Sequence, residues 1–477
     1  MTPFEQALEA SYRERVMKFI TGPESEAVQM FAQPLSNRTG DWYGEHVGKW
    51  LCTAALAWKR TGHDELRTRI EAVVDFLAEQ QESSGYLGAY AADAECRFTH
   101  PKAHEGRTWD IWNHAWTLAG LLKVAEQMDN PGALAIAEKA ARCVMGIPPA
   151  RIIELGNHQG LSSAVIAEPL AQLSIQTGER EFAEYALSVF KALHDSGVPI
   201  LQPLNNPEID VAELGTGKSY QICWLLNGLL TLSEVMEDAA LRGIALCWFS
   251  QIDSFHVSIL GGPWGGIATH KEVFNKRHFF SPDGLTETCS TQMWLRLLRR
   301  SRVTCSVDHA FIVRNALLGA LDANGHDWCY FTFPNGRRNN TYHWACCKAS
   351  GALALEEAAA AGIPDPGEPK LTIHQAQDTL DHHGQEIVRR EYIAVQYGPY
   401  MYAAGMLDGY KKAETICVPQ MFPENCFEVT DEGAEDGIPS IRCKPIGRAP
   451  FLMRPYFQAG GRHDGAWRTT WLEVAWQ

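Results

Sequence analysis

A chain of 477 residues exceeds one ordinary hydrophobic core, so a large domain with a smaller companion is expected. With 45% hydrophobic and 21% charged residues it reads as globular, not disordered, and its 13 cysteines follow no even disulfide framework. The net charge of −15 opposes a nucleic-acid backbone or an anionic membrane as partner and leaves a neutral ligand acceptable.

The start, Met1-Thr2-Pro3-Phe4, has neither the basic segment nor the apolar stretch of a secretory signal. No run of about 18 apolar residues follows, so no membrane span is expected. With scattered cysteines, these features predict a reducing, cytoplasmic setting. Fifteen tryptophans suit a carbohydrate cleft, because sugar rings have apolar faces that pack on indole. For any single Trp, core packing is the more ordinary use.

From about residue 45 to 300 the chain reads as repeated helical hairpins. Leu51, Ala54, Ala55 and Trp58 form one apolar stripe, and Val73, Val74, Phe76 and Leu77 begin the next. Polar punctuation lies between them at Thr61-Gly62-His63-Asp64 and recurs at Asp129-Asn130-Pro131-Gly132, at Thr177-Gly178-Glu179 and at Glu237-Asp238. Stacked hairpins either form an open solenoid or close into a ring whose inner helices line a cavity. Segments rich in polar and aromatic residues interrupt the repeat in phase: 85–90, 109–114, 156–160 and 262–266. They read as long loops that a ring would gather at one mouth, or else as ordinary turns with buried anchors. After about residue 365 the texture changes. Stretches such as Glu386–Val395 and Trp467–Val474 are β-rich with partial alternation, which predicts a β-sandwich or similar appendage.

The sharpest chemical feature is Glu287-Thr288-Cys289 ahead of one amphipathic helix and Cys346-Cys347 at the start of another. Helix starts favour thiolates through the macrodipole and free N–H groups. Adjacent Cys346 and Cys347 would be strained as a disulfide. Three thiols and a carboxylate make an S3O tetrahedral set, and soft thiolates select zinc among the common divalent ions. Spacing alone leaves buried inert cysteines and a purely structural zinc site open.

Segments 44–51, 85–90, 109–114 and 266–274, with Glu287-Thr288-Cys289, Cys346-Cys347 and 394–399, resemble in order and spacing the β-L-arabinofuranosidase family, glycoside hydrolase family 127, and its wider relatives. The resemblance implies a mainly α fold, an (α/α)6 barrel over residues 1–365, with a smaller C-terminal β-sandwich over 366–477. It implies Zn2+ held by Glu287, Cys289, Cys346 and Cys347, with Cys346 as nucleophile and Glu272 as acid/base. The activity implied is retaining hydrolysis releasing L-arabinofuranose or a related sugar. The expected substrate contacts are His46, His114, Trp112, Gln159, Tyr220 and Trp264, each of which could equally be a core residue. The expected partners are a carbohydrate substrate and, as a homodimer, a second copy of the chain. Two other classes compete: a metal-free barrel lyase or epimerase using Tyr/His chemistry, and a non-catalytic glycan binder with structural zinc.

Overall fold

The computed structural model describes residues 1–32, 41–103, 108–202, 209–265, 272–275, 285–304, 308–322, 324–332, 344–364, 367–382, 385–405, 424–447, 450–458, 469–470 and 472–474. Residues 266–271, 365–366 and 467–468, which enter the readings above, lie outside these.

The hairpins appear where the punctuation placed them. Helices α1 (Glu45–Thr61) and α2 (Asp64–Gln80) are followed by α3 (Asp110–Met128) and α4 (Pro131–Met145). After the short α5 (Pro149–Leu155) come α6 (Ala167–Thr177) with α7 (Arg180–Asp195), and α8 (Ser219–Val235) with α9 (Ala239–Phe255). Helices α10 (Thr288–Ser301) and α11 (Cys346–Ala361) complete the series. The turn chemistry is local. Gly62, Asp129 and Gly178 adopt left-handed φ values of 64°, 51° and 76° and stop α1, α3 and α6. Asn130 and Asp238 then cap the first turns of α4 and α9 with their side chains.

Burial separates the helices into two layers. Every residue of α8 from Ser219 to Ser233 is buried, the mark of a helix enclosed on all sides. In contrast, α7 buries only Phe182, Ala183, Ala186, Val189, Phe190 and Leu193, a single stripe at helical spacing. The enclosed helices touch in cyclic order: α1 on α3, α3 on α6, α6 on α8, α8 on α10, α10 on α11, and α11 back on α1. That closed ring, with α2, α4, α7, α9, the segment 309–317 and the N-terminal segment 3–16 packed outside it, is an (α/α)6 barrel and not an open solenoid. The segment 109–114, read above as loop, is mostly the first turn of α3.

Strands β1 (Thr286–Glu287) and β2 (Phe331–Thr332) pair antiparallel beside the barrel mouth. The C-terminal part is one curled antiparallel sheet of eight strands: β3 (Leu371–His382), β4 (Gln385–Tyr397), β5 (Tyr400–Gly405), β6 (Phe427–Glu435), β7 (Ile438–Cys443), β8 (Phe451–Pro455), β9 (Thr469–Thr470) and β10 (Leu472–Val474). Beyond the β4–β5 turn the two strands splay, β10 pairing with β4 and β9 with β5. Asn315 fastens this sheet to the barrel. Its side chain donates to Pro399 O at 2.9 Å and accepts from Met401 N at 2.8 Å. No helix among the described residues is long and apolar enough to cross a membrane.

The tightest point of the ring is the crossing of α1 and α3. A Cβ on Gly48 would stand 2.0 Å from Trp116 O, and one on Gly120 2.7 Å from Gly48 O. Gly48→Ala is therefore expected to push α1 off α3 and cost about 1–3 kcal/mol, read as a lower melting temperature. An unchanged melting temperature would mean that the two helices do not meet this closely.

Candidate active site

The inner helices run parallel, so the N-terminal ends of α1, α3, α8, α10 and α11 gather at one mouth. Their first turns supply Glu45, Trp112, Tyr220, Cys289 and Cys346 to a single cavity of about 200 Å3. Helix N-termini carry partial positive charge, so this end of the ring favours anionic groups.

Local structure explains how the acidic and sulfur groups meet. The β1–β2 register sets Glu287 opposite Phe331, and Thr288 N donates to Tyr330 O at 3.2 Å. This ties the start of α10 to the segment carrying Tyr330. The ring closure then brings the first turn of α11 alongside. The Cys289 sulfur lies 3.4 Å from that of Cys346 and 3.3 Å from that of Cys347, and Cys347 Sγ lies 3.9 Å from Glu287 Oε1. All four donor atoms fall within 4.8 Å of one another.

Sulfurs at these separations are well outside disulfide bonding, which needs about 2.05 Å. They approach the edge of roughly 3.8 Å that three thiolates share around a tetrahedral ion at about 2.3 Å. Burial pushes the Glu287 carboxyl up to about 7, against the pull of Lys218, and holds the Cys289 and Cys347 thiols well above their usual range. Hydrogen bonds from the other two sulfurs, Cys289 first, draw Cys346 well below it. One carboxyl and three sulfurs at this spacing, all but the half-buried Cys346 enclosed, are soft donors that fit a soft divalent ion.

Glu272 lies in the same cavity. Its carboxylate meets the Lys218 ammonium on one oxygen and the Tyr330 hydroxyl on the other. The Cys346 thiol in turn lies 3.7 Å from that hydroxyl, so one phenol separates Glu272 from Cys346. A relay of small hydroxyls holds the arrangement from behind. Ser290 donates to Glu287 Oε2 at 2.7 Å, Ser219 sits 2.7 Å from Ser290, and Ser219 donates to Glu272 O at 3.0 Å.

The opposite side of the cavity is aromatic. Trp42, Trp109, Trp112 and Tyr220 follow one another at ring separations of 6.0, 5.8 and 5.5 Å. Among the described residues the buried Tyr220 hydroxyl has no hydrogen-bond partner. Glu45 stands among these rings, accepting from Lys49 at 3.1 Å and from Trp112 Nε1 at 2.5 Å, and burial raises its carboxyl to about 7.

Of the residues expected from sequence, the structure brings Glu272, Glu287, Cys289, Cys346, Trp112 and Tyr220 to the cavity, with Cys347 in the sulfur cluster. Four lie elsewhere. His46 is buried against the ring of Trp344 and bonds to Trp344 O at 3.0 Å, two residues before Cys346. His114 is enclosed, with its ring nitrogens on Asp110 O at 2.9 Å and Leu87 N at 3.3 Å. Trp264 is a buried core residue, and Gln159 lines a neighbouring groove. Sequence reasoning passed over Glu45, Lys49, Lys218, Tyr330, Trp42, Trp109 and His158. Glu45 and Lys49 did carry a signal: opposite charges at i, i+4 ahead of the largely apolar middle of α1. Lys218 and Tyr330 sit in turns with no local signature.

A model of the β-L-arabinofuranosidase GH127 catalytic domain matches residues 7–359. The chain belongs to that family. It is accordingly a glycosidase. Among solved structures, a GH127 β-arabinofuranosidase is similar at a TM-score of 0.72 and 15% identity, over 100% of this chain and 96% of that one. A GH127 β-L-arabinofuranosidase from Geobacillus stearothermophilus T6 is similar at 0.69 and 13%, over 98% of each chain. A further glycoside hydrolase follows at 0.62 and 12%, over 94% of each. At such identities the likeness is one of fold. No curated protein matches the chain by sequence.

In this GH127 member the burial of His46 has a consequence for acid stability. Burial first, then the charges of Lys49 and Arg15, lower its pKa to about 3. Between that value and the usual 6.5 the unfolded chain binds a proton that the folded protein refuses, so stability falls as pH drops through this window. His46→Gln is expected to shallow the decline of melting temperature between pH 6.5 and 4.5. An identical slope in the variant would count against the buried neutral imidazole.

Proposed function

We propose that this glycosidase is a zinc-dependent retaining enzyme that releases L-arabinofuranose or a related sugar, with Cys346 as nucleophile and Glu272 as acid/base. The observation that carries this reading is the placement of Cys346. Its sulfur belongs both to the Glu287–Cys289–Cys346–Cys347 cluster and to the lining of a cavity with room for one sugar ring, where Glu272 also lies.

Glu287, Cys289, Cys346 and Cys347 would hold Zn2+, whose charge keeps the Cys346 sulfur a thiolate at neutral pH. In the first step the Cys346 sulfur forms a bond to the anomeric carbon while the carbon–oxygen bond to the leaving group breaks. Glu272 gives its proton to that departing oxygen. In the second step the Glu272 carboxylate takes a proton from water, and the water oxygen displaces the sulfur with the configuration restored. Lys218 pairs with the Glu272 carboxylate and favours its ionised form, the state that takes a proton from water in the second step. The Tyr330 hydroxyl orients both reacting side chains. Trp112 and the other rings pack the apolar face of the sugar, while Glu45, Lys49 and the Tyr220 hydroxyl bind its polar edge. A thiolate nucleophile of this kind suits a reducing, cytoplasmic setting.

The test combines an aryl β-L-arabinofuranoside with metal analysis. Wild type is expected to carry about one zinc per chain and Cys289→Ser to lose it. Glu272→Gln should keep the metal but slow turnover by about 10²–10⁴-fold. Cys346→Ser should abolish turnover. Full activity in Cys346→Ser, or a folded, active wild type free of zinc, would sink the mechanism.

A further inference from the structure

The nucleophile proposed above sits at a helix start that does not fasten itself. Ala345 stands at the N-cap of α11, where its methyl group offers no hydrogen bond to the first turn. The turn from Trp344 to Lys348, which delivers the Cys346 and Cys347 sulfurs, therefore takes its restraints from other elements. On its far side Lys348 Nζ pairs with Asp327 Oδ2 at 2.9 Å. On its near side the restraint is His46.

His46 is buried in the first turn of α1, one residue after Glu45, which lines the cavity. Its Nε2 lies 3.0 Å from Trp344 O. A carbonyl oxygen only accepts, so the neutral imidazole carries its proton on Nε2. Its Nδ1 is buried with no hydrogen-bond partner among the described residues, a cost that an apolar side chain of similar size would avoid. What the imidazole adds over such a side chain is the bond to Trp344 O.

Aromatic neighbours hold the ring in the orientation that bond needs. Trp344 meets it edge-on at 5.4 Å and Phe19 lies 5.7 Å away, with Phe19 and Trp344 themselves 5.9 Å apart. The Arg15 guanidinium covers Phe19 at 3.9 Å, so the N-terminal segment braces the stack from behind. One turn of α1 thus places Glu45 in the cavity and, through His46, grips the chain two residues before Cys346.

We propose that His46 is a positioning residue for the nucleophile: by donating to Trp344 O it sets where the Cys346 sulfur stands relative to a sugar held against α1 and α3. The inference rests on Cys346 being the attacking group. Displacing a reacting atom by about 1 Å can cost about 100-fold in rate.

The test compares three variants on p-nitrophenyl β-L-arabinofuranoside, each assayed well below its own melting temperature. His46→Gln carries an amide N–H close to the place of Nε2–H, His46→Asn is too short to reach Trp344 O, and His46→Leu has no donor. The Asn and Leu variants are expected to lose about 10–100-fold in kcat with KM within about twofold of wild type. His46→Gln should stay within about threefold of wild type in both. Wild-type kcat in the Asn and Leu variants, an equal loss in all three, or a loss confined to KM would overturn the positioning role. Should His46→Leu fail to fold, the contrast between Gln and Asn decides alone. Cys346→Ser separates this inference from the mechanism beneath it. An inactive Cys346→Ser beside unaffected His46 variants overturns the inference and leaves the nucleophile standing, whereas an active Cys346→Ser overturns both.

Discussion

The constraint on which the rest of the structure depends is the gathering of one buried carboxyl, two buried sulfurs and the half-buried Cys346 sulfur within 4.8 Å of one another. Such a set has no stable place in a protein interior unless positive charge and hydrogen bonds meet it from every side. The barrel supplies both. Parallel inner helices direct five N-termini toward the cluster, and two buried lysines, Lys49 and Lys218, stand at its edge. The serines of the hydroxyl relay and the β1–β2 pair then fix the positions of the groups that charge alone would leave free to move.

Parallel helices have a second end, and its chemistry is reversed. Where the inner helices finish, carbonyl groups point outward and the macrodipole is negative, so cations belong there. Arg296, Arg299 and Arg300 occupy the last turns of α10, with Arg296 and Arg299 meeting Glu357 of α11 and Arg300 meeting Glu234 of α8. The polar cavity of about 360 Å3 at this end is thus a set of ion pairs closing the barrel floor. At this end the arginines share the lining with Glu126, Glu168, Glu234 and Glu357, so charges of both signs meet there.

Within the active cavity the two walls have separate origins. The aromatic rings, with Glu45 and Lys49, come from the first turns of α1, α3 and α8 and the chain just before them. The sulfur cluster comes from the starts of α10 and α11, and connecting segments carry Glu272 and Tyr330. The segment carrying Glu272 is held by backbone bonds such as Ser219 N to Glu272 O.

Much of the scaffold was legible in the chain itself. Apolar stripes at 3.6-residue spacing, with Gly62, Asn130, Gly178 and Asp238 at the breaks, encode the hairpins through local geometry that needs no partner. Thiols at helix starts drew notice to the four cluster residues, but their pattern left inert cysteines open, and it was the family resemblance that made them one ligand set. That a ring would close, rather than a solenoid continue, depends on α11 returning to α1 across the whole chain, and no local pattern contains that contact. The same limit explains the side chains. His46 and His114 sit at helix starts, as sequence placed them, yet their rings turn to backbone partners that only the folded neighbours provide. Lys218 and Tyr330 are ordinary residues in ordinary turns, and become part of the site because separate segments deliver them to Glu272. Residue type and spacing determined which helical elements form and which thiols stand at helix starts. Three-dimensional closure decided which carboxylates, lysines and rings face the same space, because those contacts join residues far apart in sequence.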